Sequence, residues 1–180
     1  MVQSYKIFTP RELSLIIILS ALGGANSVPI GHLGNFLKML PGVPFGASQA
    51  LSGLHVLWIV LAKLLVRKKG SGIMTGVLKG LVETFLFSFH GIFVLVISSI
   101  AGIIVDMIFT VIDRANDTSI YLASGLSSAS NVVVIQFILL PGLHWTVYGF
   151  MYLLSLISGL VLAGYLCKRI FVIISNIPLK

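Results

Sequence analysis

Apolar residues along this chain fall into long runs broken by short polar or glycine- and proline-rich stretches. The runs are long enough for helices that cross a hydrocarbon layer of roughly 30 Å. Six membrane-spanning helices are predicted, at about 11–30, 48–66, 71–88, 91–112, 119–140 and 145–167. Thr9 suits the cap of the first, and Pro10 its first turn. Between the first two helices lies a 31–47 loop with Gly31, Gly34, Pro41, Gly42, Pro44 and Gly46, whose middle, His32 to Leu40, reads as a short interfacial helix. The second helix stops at Arg67-Lys68-Lys69-Gly70. The tail, Ile170 to Lys180, is apolar but too short to span. The predicted fold is an all-α integral membrane protein, a single six-helix bundle over 1–180 without linker or tandem repeat.

The breaks carry the charge. Six spans put both termini on one side, and that side receives nine basic residues (Lys6, Arg11, Arg67, Lys68, Lys69, Arg114, Lys168, Arg169, Lys180) against Lys38 alone on the other. Cytoplasmic loops collect Lys and Arg, so both termini are expected in the cytoplasm. Lys63 lies one turn from the inner end of its helix and is expected to snorkel there, whereas Lys79 is deeper. Small residues recur at four-residue spacing: Ala21 and Ala25 with Ser20 and Gly24, Gly72-Gly76-Gly80, Ser98 and Gly102, and Ser155-Gly159-Ala163. Such stripes mark faces where helices approach closely.

Composition agrees with the pattern. The chain is 57% hydrophobic and 9% charged, which excludes a water-soluble globule. The net charge of +7 does not indicate nucleic acid, because the basic residues sit in the breaks and form no stripe interleaved with aromatics. The apolar run 13–25 is expected to be a retained first helix, not a removed signal peptide. One cysteine, Cys167, excludes an intrachain disulfide and a cysteine-based metal site, and is read as a passive thiol. No catalytic motif is present: there is no His-Glu-x-x-His, Gly-x-Ser-x-Gly or nucleotide-binding lysine loop, so neither an enzyme nor a cofactor is expected.

Glu83 stands out against this background. A carboxylate inside a spanning helix costs roughly 2.5–3.5 kcal/mol and is usually paired or functional. At roughly 100° per residue, Glu83 lies within about 20° of the Gly72-Gly76-Gly80 stripe, so it faces the bundle. The four histidines, His32, His55, His90 and His144, fall at the outer side, as do Trp58, Gln136, Trp145, Tyr148 and Tyr152, with Asn131 deeper. These groups could converge with Glu83 on a pocket open to the outside, or they could be interfacial anchors and interhelical bonds. The histidines come from different elements without an i, i+4 pair, so no metal site is expected. Lys79, one turn before Glu83, could instead neutralise it. Asp106, four residues after Gly102, is expected to hold helices together or contact a partner.

The stretch from Gly34-Asn35 through Leu-Val-Arg-Lys-Lys-Gly (65–70) and Leu-Val-Glu-Thr-Phe-Leu (81–86) to the fourth helix resembles substrate-binding S components of energy-coupling factor (ECF) vitamin transporters, most closely the hydroxymethylpyrimidine/thiamine type. The resemblance implies six helices with both termini inside and an outward pocket covered by the 31–47 loop. It also implies a transmembrane coupling (T) subunit, cytoplasmic ATPase subunits, and contact with the coupling subunit through small residues on the first helix, here Ala21, Gly24 and Ala25. The cobalt and nickel branch has an N-terminal Met-His, and position 2 here is Val2.

The sequence therefore reads as a multi-pass cell-membrane subunit that binds a vitamin-like solute for an importer. Glu83 would hold an amine-bearing heterocycle, Trp58, Trp145 and Tyr148 would stack on its ring, and His55, His90 and Gln136 would complete the polar contacts. The alternatives are an S component for another vitamin, a structural or assembly protein with Glu83 locked to Lys79, and a small membrane enzyme.

Overall fold

The computed structural model describes residues 8–41, 46–86, 91–112 and 116–176, and what it describes is helical. Helix α1 is Pro10–Met39. A 3₁₀ turn, Ala47–Leu51, leads into α2, Ser52–Val66. Next come α3, Ser71–Phe85, and α4, Phe93–Val111. Helix α5, Asp117–Val134, ends in a π turn, Ile135–Leu139. Helix α6, Trp145–Ser158, continues through a π turn, Gly159–Tyr165, into α7, Leu166–Ser175.

Five helices are long and apolar enough to cross a membrane: Pro10–Met39, Ala47–Val66, Phe93–Val111, Asp117–Leu139 and Trp145–Ile174. Helix α3 has 15 residues, about 22 Å at 1.5 Å per residue. Positions 87 and 88, expected to extend it, lie outside the described residues.

The cap of α1 forms as its sequence requires. Glu12 Oε2 accepts from the Thr9 backbone N–H at 2.7 Å, and Thr9 Oγ1 accepts from the Glu12 N–H at 3.4 Å, a reciprocal capping box. The end of α1 departs from expectation. The helix does not stop near residue 30 to begin a 31–47 loop; it runs through Pro29, Gly31 and Gly34 to Met39. Gly34 is a packing glycine here, since a Cβ on it would lie 3.3 Å from Ser48 Cβ in the 3₁₀ turn. Packing of this kind overrides the roughly 1 kcal/mol by which glycine disfavours a helix interior. The chain's last helix also passes its expected end at 167, reaching Ser175.

Helices α3 and α4 meet along the glycine stripe. A Cβ on Gly76 would stand 2.3 Å from the Ser98 carbonyl oxygen, and one on Gly102 would stand 2.5 Å from that of Gly72. The two backbones are in contact, which is what small residues at four-residue spacing permit. Serines join α2, α5 and α6: Ser52 Oγ is 2.7 Å from Ser128 Oγ and 2.8 Å from Ser155 Oγ. Below this layer an apolar core forms around Val56, Val60, Val105, Ala123, Ala163 and Cys167. Cys167 is fully buried and its thiol donates to the Leu57 carbonyl at 3.1 Å, in keeping with a passive role.

The basic breaks share one end of the bundle. Lys68 reaches Glu12 at 2.6 Å, joining α2 to α1, and Lys168 reaches Asp117 at 2.5 Å, joining α7 to α5. Lys63 does not snorkel. It is buried in an ion pair with Asp106 of α4, and its Nζ also donates to the Lys68 carbonyl at 2.8 Å. The second oxygen of Asp106 accepts from the Ile73 N–H at 2.8 Å, satisfying a donor that the first turn of α3 otherwise leaves open. Asp106 thus ties α2, α3 and α4 together, as its small-residue surroundings led us to expect. Asp106→Ala leaves Lys63 buried without its partner, a change that costs about 3–5 kcal/mol. A large drop in thermal unfolding midpoint in detergent is expected; a wild-type midpoint would contradict this role.

Candidate functional site

At the opposite end of the bundle lies a cavity of about 670 Å³. Its wall is built from the C-terminal half of α1 (Ile30 to Lys38), the 3₁₀ turn, the start of α2, the C-terminal part of α3, the start of α4, the end of α5, and Met151 of α6. Apolar side chains such as Val56, Ile59, Val94, Ile97 and Ile135 make most of the wall. A few polar groups interrupt it, the usual make-up of a small-molecule site.

Glu83 and Lys79 are the deepest charged groups of that wall, 5% and 1% exposed. They pair directly, Lys79 Nζ to Glu83 Oε2 at 2.6 Å. Lys79 also points to Ser98 Oγ at 3.5 Å. The other carboxylate oxygen of Glu83 faces His55 Nδ1 at 3.7 Å, and that nitrogen is 2.9 Å from Ser27 Oγ. Glu83 is brought inward by close packing: Gly24 of α1 sits so near α3 that a Cβ there would be 2.6 Å from Val82 Cγ1 and 3.3 Å from the Glu83 backbone nitrogen. The two sequence readings of Glu83 therefore coexist, because it pairs with Lys79 and it also lines a cavity.

The structure brings His55 and Glu83 together, and the other expected contacts that it describes are not in the cavity lining. Trp58 is turned toward α1, with its Cβ 2.9 Å from where a Gly23 Cβ would stand, and packs on the apolar core. Gln136 Oε1 accepts from the Tyr152 hydroxyl at 2.9 Å. Tyr148 is buried and closes the α5–α6 turn, donating to the Leu140 carbonyl at 2.6 Å and accepting from the Leu143 N–H at 3.1 Å. Trp145 is 76% exposed and meets Tyr148 edge to face with centroids 6.2 Å apart. His90 lies outside the described residues. The aromatic side chain that does line the cavity among the described residues is Phe93.

Asn131, one of the polar groups that the sequence allows to converge with Glu83, lines the cavity, and four lining residues were not among the expected ligand contacts: Asn35, Lys38, Gln49 and Ser98. Asn35 lies in the Gly34-Asn35 pair, and Ser98 in a small-residue face, so each had a signal that was read as something else. On α1, Gly24 is buried against α3, while Ala21 and Ala25 are exposed. Among the described residues no group of three or more His, Cys, Asp or Glu side chains is placed to hold a metal ion.

The chain belongs to the family described as "ABC-type cobalt transport system, permease component", whose model matches residues 11–131. Its fold is that of a crystal structure of "an S-component of ECF transporter": the TM-score is 0.83 at 24% sequence identity, covering 94% of this chain and 86% of that chain. A search of curated proteins found no match. The chain is thus a multi-pass membrane protein of a transport-system permease family.

Proposed function

We propose that this chain is the membrane-embedded substrate-binding subunit of an ECF-type importer, and that its cavity takes a small amine-bearing heterocycle of the thiamine or hydroxymethylpyrimidine kind. One observation carries this reading: Glu83, a carboxylate buried in the cavity wall with His55 beside it. The other acidic residues among those described are engaged at the far end, Glu12 with Lys68, Asp106 with Lys63 and Asp117 with Lys168. Glu83, though paired with Lys79, is the carboxylate in the described lining of the cavity. Carboxylates accept two hydrogen bonds from an amidine-like edge, and charge-assisted bonds of this type are the strong ones. The cavity volume of about 670 Å³ lies within the range of small-molecule sites.

The family description names cobalt, so the donor set bears on the choice of cargo. Glu83 has an ammonium 2.6 Å away, which offsets the charge a divalent cation would seek, and His55 is the one imidazole in the described lining. That set suits an organic ligand better than a bare ion. The C-terminal end of α1 and the turn that follows it would act as the lid. Six spans with cytoplasmic termini would turn the cavity outward and the Lys- and Arg-rich end toward a coupling subunit and its ATPases, with exposed Ala21 and Ala25 as contact points on α1.

Mass spectrometry and elemental analysis of material co-purifying with the protein test the cargo. An amine-bearing heterocycle near one equivalent is the expected finding. Stoichiometric cobalt without an organic ligand would overturn the proposed cargo. An empty protein that binds neither in titration would favour a structural or assembly role.

A further inference from the structure

The far wall of the cavity holds a polar group that the protein itself leaves unanswered. Asn131 of α5 lines the cavity and is 8% exposed, and its Oδ1 is buried without a hydrogen-bond partner. Its nearest serines are engaged, Ser127 Oγ with the Ala101 carbonyl at 3.2 Å, Ser128 Oγ with Ser52 at 2.7 Å, and Ser130 Oγ with the Ser127 carbonyl at 2.7 Å; Trp58 Nε1 and Ser124 Oγ are also buried without a partner, but neither residue lines the cavity. A buried acceptor without a partner is costly, and those that persist in proteins call for an explanation. Val56 and Ile135 of the same lining are apolar, as an aliphatic residue at position 131 would be. The asparagine is therefore retained at the expense of the empty protein.

We infer that Asn131 is a second ligand-binding residue, whose Oδ1 accepts a hydrogen bond from an O–H or N–H of the bound heterocycle. The inference rests on the proposed substrate-binding role and narrows it. The ligand carries two separate donors, an amine for Glu83 on α3 and another for Asn131 on α5. Asn131 also provides selectivity, because a ligand with the second donor pairs Oδ1 and an analogue without it leaves Oδ1 unpaired, a difference on which sites of this kind discriminate.

The test is a titration of two probes against two proteins in detergent: aminopyrimidine bearing a hydroxymethyl group, and its analogue with a methyl group there. The wild type is expected to prefer the hydroxymethyl probe by about tenfold, the worth of one net hydrogen bond. Asn131→Leu is expected to remove that preference while unfolding no lower than the wild type, whereas loss of an asparagine that held helices together would lower the midpoint. Asn131→Ala serves in the same comparison if leucine is not accommodated. A preference that persists in the variant, or equal binding of both probes by the wild type, would overturn the assignment of Asn131 alone. Failure of the wild type to bind either probe would overturn the proposed ligand class and this inference with it.

Discussion

Glu83→Gln is expected to weaken ligand binding between about tenfold and a hundredfold, the range set by a hydrogen bond to a charged group. Glutamine keeps the shape and one acceptor but loses the charge that an amine-bearing ring would meet. The same change removes the partner of Lys79, which is 1% exposed and held by the carboxylate at 2.6 Å. Stripping one member from a buried pair costs up to about 3–5 kcal/mol. Glutamine retains a bond to the ammonium and the cavity gives it access to water, so the expected loss falls below that range and the variant still folds. Binding titration and thermal unfolding of the same preparation separate the two effects. Wild-type affinity in Glu83→Gln would end the proposed role of this carboxylate.

A second large effect is expected on the glycine stripe, where a bulky side chain has nowhere to go. At Gly76 a Cβ would stand 2.3 Å from the Ser98 carbonyl oxygen, and the obstructing atom is backbone, which cannot turn aside. Gly76→Ala must push α3 from α4, at a cost of about 1–3 kcal/mol for overpacking, and Gly76→Val is expected to abolish folding. The same push would displace Lys79 and Glu83 from the cavity, since α3 carries all three residues. Gly149 supplies the contrast. It is exposed within α6 with nothing within 4 Å of a built Cβ. Gly149→Ala is expected to be neutral or to stabilise by up to about 1 kcal/mol through helix propensity. Equal behaviour of the two glycine variants would contradict the packing described here.

Much of the bundle is legible in the chain because the signals are local. Arg67-Lys68-Lys69-Gly70 ends α2, Thr9 and Glu12 cap α1, and the stripe on α3 points to a close neighbour, which is α4. Glycines around 31–34 mislead, because the same residues that break helices also let them pack, and only the contact with Ser48 distinguishes the two. The end of the bundle at which the basic breaks gather is readable from the chain, but the direction a side chain takes around its helix is not. Trp58 and His55 share the first half of α2, yet the imidazole lines the cavity and the indole turns to Gly23. Asn131 and Gln136 lie five residues apart, about 140° around a helix at roughly 100° per residue. The first therefore faces the cavity while the second bonds Tyr152. Partners distant in sequence were equally hidden: the Lys63–Asp106 pair joins positions 43 residues apart.

The central claim is that Glu83 faces Lys79 so as to be available to a ligand, and not solely to neutralise its neighbour. The most direct measurement is binding of the co-purified ligand to the double variant Lys79→Met/Glu83→Gln. With both charges gone, no buried ion is left unpaired, so the variant is expected to unfold close to the wild-type temperature. It is also expected to lose at least about tenfold in affinity. A stable double variant that binds the ligand as tightly as the wild type would contradict the claim and leave the pair a structural one.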